Sequence, residues 1–137
     1  TIEQGGLESP GVIDVQAGTL ELDLGGGSFN NLGRVLLGAT GVLEVNGQFE
    51  STGTVVTSIT AASFGRIVVS GQLALPSGRL RAVFVGDGFE DGQQRLVIES
   101  GSRAGMFTEF IQVGLPASLT AGVQHIATGV RVLVSAV

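Results

Sequence analysis

The stretch GVLEVNGQFESTGTVV, residues 41–56, returns 24 residues later as GRIVVSGQLALPSGRLRAV, residues 65–83. Gly53 of the first copy aligns with Gly78 of the second after an insertion at Pro76-Ser77. A repeat of this length is typical of solenoids, in which each copy stacks on the next one. The sequence therefore predicts a chain that coils in successive turns.

An earlier copy precedes these two with a small change of step. Residues 18–24, GTLELDL, match residues 41–47 at a step of 23, whereas residues 28–37 match residues 48–57 at a step of 20. The difference falls in the run Gly25-Gly26-Gly27. A turn can change its length there at little cost, because loop-closure entropy grows slowly with loop length.

Apolar and polar residues alternate within each copy. Leu20, Leu22 and Leu24 alternate with Glu21 and Asp23. A period of two predicts a strand with one face buried. Placing the copies above one another gives four inward columns: Leu20–Leu43–Ile67, Leu22–Val45–Val69, Phe29–Phe49–Leu73 and Val35–Val55–Leu80. The aligned glycines Gly33, Gly53 and Gly78 indicate a corner that needs an unusual φ.

The outward positions differ from copy to copy. One outward column contains Glu21, Glu44 and Val68, and another contains Arg34, Thr54 and Arg79. Apolar residues that recur inside, with variation outside, indicate a structural wall.

The predicted fold is all-β, a parallel β-helix or β-solenoid with an irregular C-terminal cap, and a β-sandwich is the alternative. Residues 1–85 are assigned to the solenoid rungs, and residues 86–137 to irregular terminal rungs or a cap of the same domain. Terminal repeats are atypical because they must end the stack. Strand-like runs after the acidic turn at residues 86–92 cover residues 95–98, 106–111, 124–127 and 130–134.

Composition excludes several classes of function. The chain is 43% hydrophobic and 14% charged, which indicates a folded protein. Its net charge of -5 argues against nucleic-acid binding, which needs a basic surface. No apolar run approaches the roughly 20 residues that span a bilayer, so no membrane insertion is predicted. The absence of Cys excludes disulfides and thiolate metal sites.

Three sets of polar residues are candidates for catalysis or metal binding. His125 is the only histidine and would have to serve any Ser-His-Asp triad, but no nucleophile-elbow motif accompanies it. Glu21 and Glu44 fall in one outward column, as an acid/base pair would need, but nothing around them suggests a substrate cleft. Asp87, Glu90 and Asp91 lack the ligand spacing of known calcium motifs. We therefore predict no catalytic, cofactor-binding or metal-ligating residue and no enzyme activity.

The order of the glycine and phenylalanine motifs resembles that of a known family. The motifs are Gly25-Gly26-Gly27-Ser28-Phe29, Val45-Asn46-Gly47, Gly88-Phe89 and Gly105-Met106-Phe107. From about Gly11 to Val134 the chain resembles the C-terminal passenger region of large bacterial secreted proteins with autotransporter-associated β-repeats, related in style to filamentous-haemagglutinin-type adhesins. Glu90-Asp91 departs from that pattern, in which a proline is often present.

The resemblance implies a right-handed β-helix at the bacterial cell surface that serves as a stalk or an adhesive body. The expected function is a non-catalytic structural or adhesive segment of a secreted or cell-surface protein. The alternatives are a glycan- or surface-binding module, a subunit of a self-assembling extracellular filament, and a remnant of a polysaccharide-degrading β-helix enzyme. Expected partners are neighbouring rungs of a larger parent chain or other copies of the chain, with a glycan or a cell surface as a further candidate. Because the chain begins at Thr1 with no leader, we expect a mature product or an excised piece.

Overall fold

The computed structural model describes residues 2–3, 7–9 and 11–137, with side chains from residue 11 onward. These residues are all-β and contain no helix. The strands are β1 (Ile2–Glu3), β2 (Leu7–Ser9), β3 (Val12–Asn31), β4 (Arg34–Ser51), β5 (Thr54–Ile59), β6 (Arg66–Val69), β7 (Gln72–Leu75), β8 (Arg79–Phe84), β9 (Gln94–Glu99), β10 (Ser102–Gly105), β11 (Glu109–Val113), β12 (Leu119–Ile126) and β13 (Gly129–Ala136).

Strands β1 to β11 stack in parallel on three faces of a β-solenoid, and the β-sandwich alternative is wrong. Face 1 consists of residues 12–15, residues 34–37, β5, β8 and β11. Face 2 consists of β1, residues 19–23, residues 42–46, β6 and the end of β9. Face 3 consists of β2, residues 28–31, residues 48–51, β7 and β10.

Successive turns of the chain follow the order face 1, face 2, face 3. Three regular turns begin at Val12, Arg34 and Thr54, and a fourth begins at Arg79. The fourth turn contains the long connection 85–93 between β8 and β9. The fourth turn is therefore longer than each of the three regular turns.

All four predicted inward columns are confirmed by the strand register. Leu43 pairs with Leu20 on one side and Ile67 on the other, and the other three columns stack in the same way. Every member is buried except Leu20, which is half-buried. The Phe29 and Phe49 rings stack with their centroids 5.4 Å apart and an interplanar angle of 8°. Their spacing is close to the strand separation of about 4.8 Å, as in-register stacking requires.

The change of step at the triple glycine is also confirmed. The register pairs Asp23 with Asn46 before the glycines and Ser28 with Gln48 after them. The first turn thus accommodates three more residues than the second at this corner. Gly25 has a φ of +58°, which favours glycine, so the extra length is placed where the backbone tolerates it.

The aligned corner glycines have two different physical causes. Gly78 has a φ of +99°, as the sequence predicted. Gly53 does not lie in the left-handed region, so the predicted cause is wrong there. A Cβ at Gly53 would instead lie well inside 3.0 Å of the carbonyl oxygen of Gly33. Close approach of successive corners therefore requires glycine at this position.

The C-terminal part combines a further turn with a hairpin. β10 and β11 continue faces 3 and 1 in parallel register. β12 and β13 then form an antiparallel hairpin, and β13 pairs antiparallel with β9. Val130, Val132 and Val134 are buried in the core, so this hairpin, here named the cap, packs on the end of the solenoid.

The strand-like run at residues 106–111 is only partly a strand. β11 begins at Glu109, and Met106, Phe107 and Thr108 lie outside the strands. The chain turns at Gly105, which has a φ of +80° and whose added Cβ would meet the backbone of Leu75. The run therefore rounds a corner between faces 3 and 1, which apolar composition does not reveal.

Candidate functional site

Face 1 presents an outward column of charged and hydroxyl side chains. The column contains Arg34, Thr54, Arg79 and Glu109 in register. Arg79 Nε lies 3.5 Å from Glu109 Oε2, and both side chains are more than half exposed. An exposed pair of this kind contributes about 0–1 kcal/mol to stability, so these groups remain available to a ligand.

A groove of about 400 Å³ runs along the corner between faces 3 and 1, and we name it the corner groove. It is lined by Leu32, Gly33, Thr52, Gly53, Thr54, Ser77, Gly78, Arg79, Thr108 and Glu109. The stacked glycines form its floor because side chains cannot fit between successive corners there. Hydroxyl groups and the Arg79–Glu109 pair supply its polar groups, so a polar chain is the ligand that its chemistry fits best.

Hydrogen bonds between turns hold the floor of the corner groove. Thr54 N donates to Gly33 O at 2.9 Å, and Arg79 N donates to Gly53 O at 3.1 Å. Thr108 donates to Gly78 O from both its backbone N–H and its hydroxyl, at 2.9 Å each. The groove is therefore part of the rigid rung framework. Sequence analysis identified these glycines only as a corner and placed Thr54 in an outward column. It did not predict the groove that the glycines and threonines line together.

Glu21 and Glu44 are neighbours on face 2, as predicted. They pair in register, and Val68 and Glu99 continue their column. Both glutamates are half-buried. A small depression of about 110 Å³ includes Glu44 but not Glu21 among its lining residues. The two carboxylates do not share a cleft, and Arg34 lies on face 1, away from them.

The acidic turn at residues 86–92 lies within the fourth turn and contacts the cap. Asp91 Oδ1 accepts a hydrogen bond from Ala136 N at 3.1 Å, and Gly92 N donates to Val134 O at 2.8 Å. Phe89 packs edge-on against Phe84, with ring centroids 5.2 Å apart. Within residues 11–137, no three His, Cys, Asp or Glu side chains are grouped as a metal site requires. Asp91 therefore has a structural contact of its own at the end of β13.

His125 lies on the inner side of the cap. Its Nε2 accepts a hydrogen bond from Phe107 N at 3.1 Å, and its ring centroid is 6.1 Å from that of Phe107. Burial lowers the pKa of His125, and the positive charge of Arg103 lowers it further. The imidazole thus joins the cap to the corner that precedes β11. Sequence analysis could not place this contact, because its donor is a backbone amide.

Two buried polar side chains stack inside the corner between faces 3 and 1. Asn31 and Ser51 pair in register and are fully buried. Asn31 Nδ2 donates to Ser51 Oγ at 3.1 Å and to Thr54 O at 3.2 Å. These bonds tie the first turn to the second and to the start of the third, and they pair the buried Nδ2 group, which would be costly to leave without a partner. The asparagine was not singled out in the sequence, where it resembles any turn residue.

Comparisons with protein-family models, with curated proteins and with solved structures found no match to this chain. Between residues 11 and 137 there is also no helix of the length and apolarity needed to cross a bilayer. The function of this chain is therefore inferred from the solenoid and its surfaces.

Proposed function

We propose that this chain is a non-catalytic structural segment, a solenoid body of a bacterial secreted or cell-surface protein of the autotransporter-associated β-repeat kind. The observation that carries the proposal is the in-register stacking of four apolar columns through three regular turns. Each rung of such a body rests on its neighbours, so the body is elongated and its length depends on the number of turns. The resemblance in the glycine and phenylalanine motifs supports the proposed location at the bacterial cell surface.

The outer faces support a structural role over a catalytic one. Glu21 and Glu44 share a column but not a cleft, and His125 is turned into the cap. General acid/base chemistry needs groups that converge on one reacting atom. The described surface offers no such convergence around these three residues.

Duplication of one turn tests the structural role. A second copy of residues 34–53 is inserted after residue 53, so that the added turn can stack on an identical one. A structural body accommodates the extra turn, lengthens by about 4.8 Å and melts at no lower temperature. Small-angle scattering and thermal unfolding measure both quantities. The control inserts the same twenty residues in scrambled order and is expected to destabilise the fold.

A hydrolysis screen tests the absence of catalysis. The wild type, Glu21→Gln and Glu44→Gln are incubated with a panel of polysaccharides, and released reducing ends are measured. The proposal predicts no release above the blank from any of the three proteins. Release by the wild type that is lost in Glu21→Gln or Glu44→Gln would make this a polysaccharide-degrading enzyme and overturn the proposal.

The corner groove favours a second function, the binding of a glycan. Hydroxyl side chains from successive turns line it, and Arg79, which pairs with Thr54 in register, adds a charged donor. A glycan array tests this role with Arg79→Ala, and Arg81→Ala is the matched control because Arg81 is exposed on the same strand outside the groove. Binding by the wild type that falls about tenfold in Arg79→Ala alone would establish the adhesive role. No binding to any glycan would leave the structural role by itself.

A further inference from the structure

The cap contacts the connection between β10 and β11 through one titratable side chain. His125 stands near the end of β12, opposite Val130 of β13. Its Nε2 accepts the backbone N–H of Phe107, a residue that is only 6% exposed and whose side chain belongs to the core. This bond links the cap to the connection between β10 and β11, where no backbone ladder joins the two.

We propose that His125 is a pH-sensitive latch that fastens the C-terminal cap to the connection 106–108 and opens this contact when the imidazole is protonated. The device belongs to the fold and does not depend on whether the segment is structural or adhesive.

The hydrogen bond fixes the protonation state that holds the cap. Because Phe107 N–H is a donor, Nε2 must carry no proton, and the neutral ring keeps its proton on Nδ1. Protonation turns Nε2 into a second donor that faces the same N–H group. The bond is then lost, and a positive charge is left beside a buried apolar side chain.

The charged groups around the imidazole disfavour protonation. Arg103 on β10 is the cation that acts on it, and the guanidinium is fixed nearby because its Nε donates to Ile126 O at 2.7 Å. The connection 106–108 carries no charge. Arg131 binds Gln124 and Gln94 on the opposite side of the hairpin. Glu109, the first carboxylate of β11, pairs with Arg79 on face 1.

The direction of the pH effect follows from these surroundings. Burial first, and Arg103 second, lower the pKa of His125 below its ordinary value of 6.5. The unfolded chain therefore takes up the proton at a higher pH than the folded chain does. The stability supplied by the neutral imidazole is fully present above pH 6.5 and is lost as the pH falls from there through the folded-state pKa.

Other contacts hold the cap on the solenoid independently of the imidazole. Gln112 on β11 accepts hydrogen bonds from Ala121 N and Thr120 Oγ1, near the start of β12. Val132 and Val134 of β13 are buried against the core. Neither contact contains a group that titrates near neutral pH. At the turn end, Ser100 N donates to Thr128 O at 2.9 Å, and Gly129 and Val130 pair with β9. Protonation is therefore expected to open the contact between His125 and the connection 106–108, while the turn end stays attached.

Nuclear magnetic resonance tests the latch directly. The chain has one histidine, so its imidazole gives a single Cε1–H signal whose titration needs no assignment. Hydrogen-exchange protection factors are measured for Phe107 and the amides around His125 at about pH 7.5 and at about one pH unit below the midpoint of that titration. His125→Gln is the matched variant, because its side-chain oxygen can accept the same hydrogen bond without titrating. His125→Ala removes the acceptor.

The latch predicts three results. In the wild type, the protection factors fall about tenfold or more at the lower pH, and the imidazole titrates below 6.5. In His125→Gln they do not change with pH, and in His125→Ala they are low at both values. The proposal is overturned if His125→Gln loses protection as the wild type does. It is equally overturned if the wild-type imidazole titrates at or above 6.5, a result that needs no variant to fold.

Discussion

Phe49 is the centre of the column Phe29–Phe49–Leu73 and is fully buried between its two neighbours. Its ring stacks on that of Phe29, so truncation removes both burial and an aromatic contact. We expect Phe49→Ala to lower the free energy of unfolding by about 3–5 kcal/mol. Gln48→Ala, one residue earlier and exposed, is the control and should change it by less than about 0.5 kcal/mol. Denaturant unfolding measures both, and equal effects would contradict the inward and outward assignment.

Gly53 and Gly26 differ in whether the neighbouring turn leaves room for a Cβ atom. A Cβ at Gly53 would collide with the Gly33 carbonyl, whereas a Cβ at Gly26 has open space, and neither glycine has a positive φ. Gly53→Ala should therefore lower the free energy of unfolding by about 1–3 kcal/mol, as overpacking does. Gly26→Ala should leave it unchanged or raise it by up to about 1 kcal/mol. A Gly53→Ala protein as stable as the wild type would show that the corners do not touch.

The cap covers the apolar core at the C-terminal end of the solenoid. Val132 is fully buried at its centre, and Ser135 is exposed on the same strand. Val132→Asp places an unpaired charge in the core and should lower the free energy of unfolding by about 3–5 kcal/mol. It should also expose strand edges and promote aggregation. Ser135→Asp is the control, and light scattering with thermal unfolding distinguishes the two. A soluble, stable Val132→Asp protein would mean that the cap does not seal the core.

Sequence alone predicted the regular turns well, because Leu43, Phe49 and their counterparts repeat at fixed steps. It predicted irregular terminal rungs or a cap over residues 86–137 but not the antiparallel hairpin, since a hairpin without a repeat leaves only apolar runs that fit a rung equally well. The partner of His125 is a backbone amide, and the corner groove arises from glycines of neighbouring turns. Contacts of both kinds depend on three-dimensional register, which composition does not contain.

At the scale of the molecule, the solenoid is held together by contact between successive turns. The chain contains no cysteine, so no disulfide contributes to its stability. Each turn buries its apolar side chains against those of the turns before and after it. The free energy of unfolding is then approximately a sum over the interfaces between neighbouring turns. The outer faces are free to vary because they take no part in those interfaces. Recurring apolar side chains inside and variable side chains outside are what a structural segment of adjustable length requires.

Methyl–methyl nuclear Overhauser effects between Leu43 and Ile67 test the central claim, which is that turns 24 residues apart lie directly on one another. Register places these two side chains in one inward column, next to the Val45–Val69 pair. At a strand separation of about 4.8 Å, both pairs should give strong cross-peaks. Leu43 should give none to Leu36, which lies on face 1 and points outward. Absence of the Leu43–Ile67 and Val45–Val69 cross-peaks, in a folded protein with assigned methyl groups, would contradict the stacked solenoid.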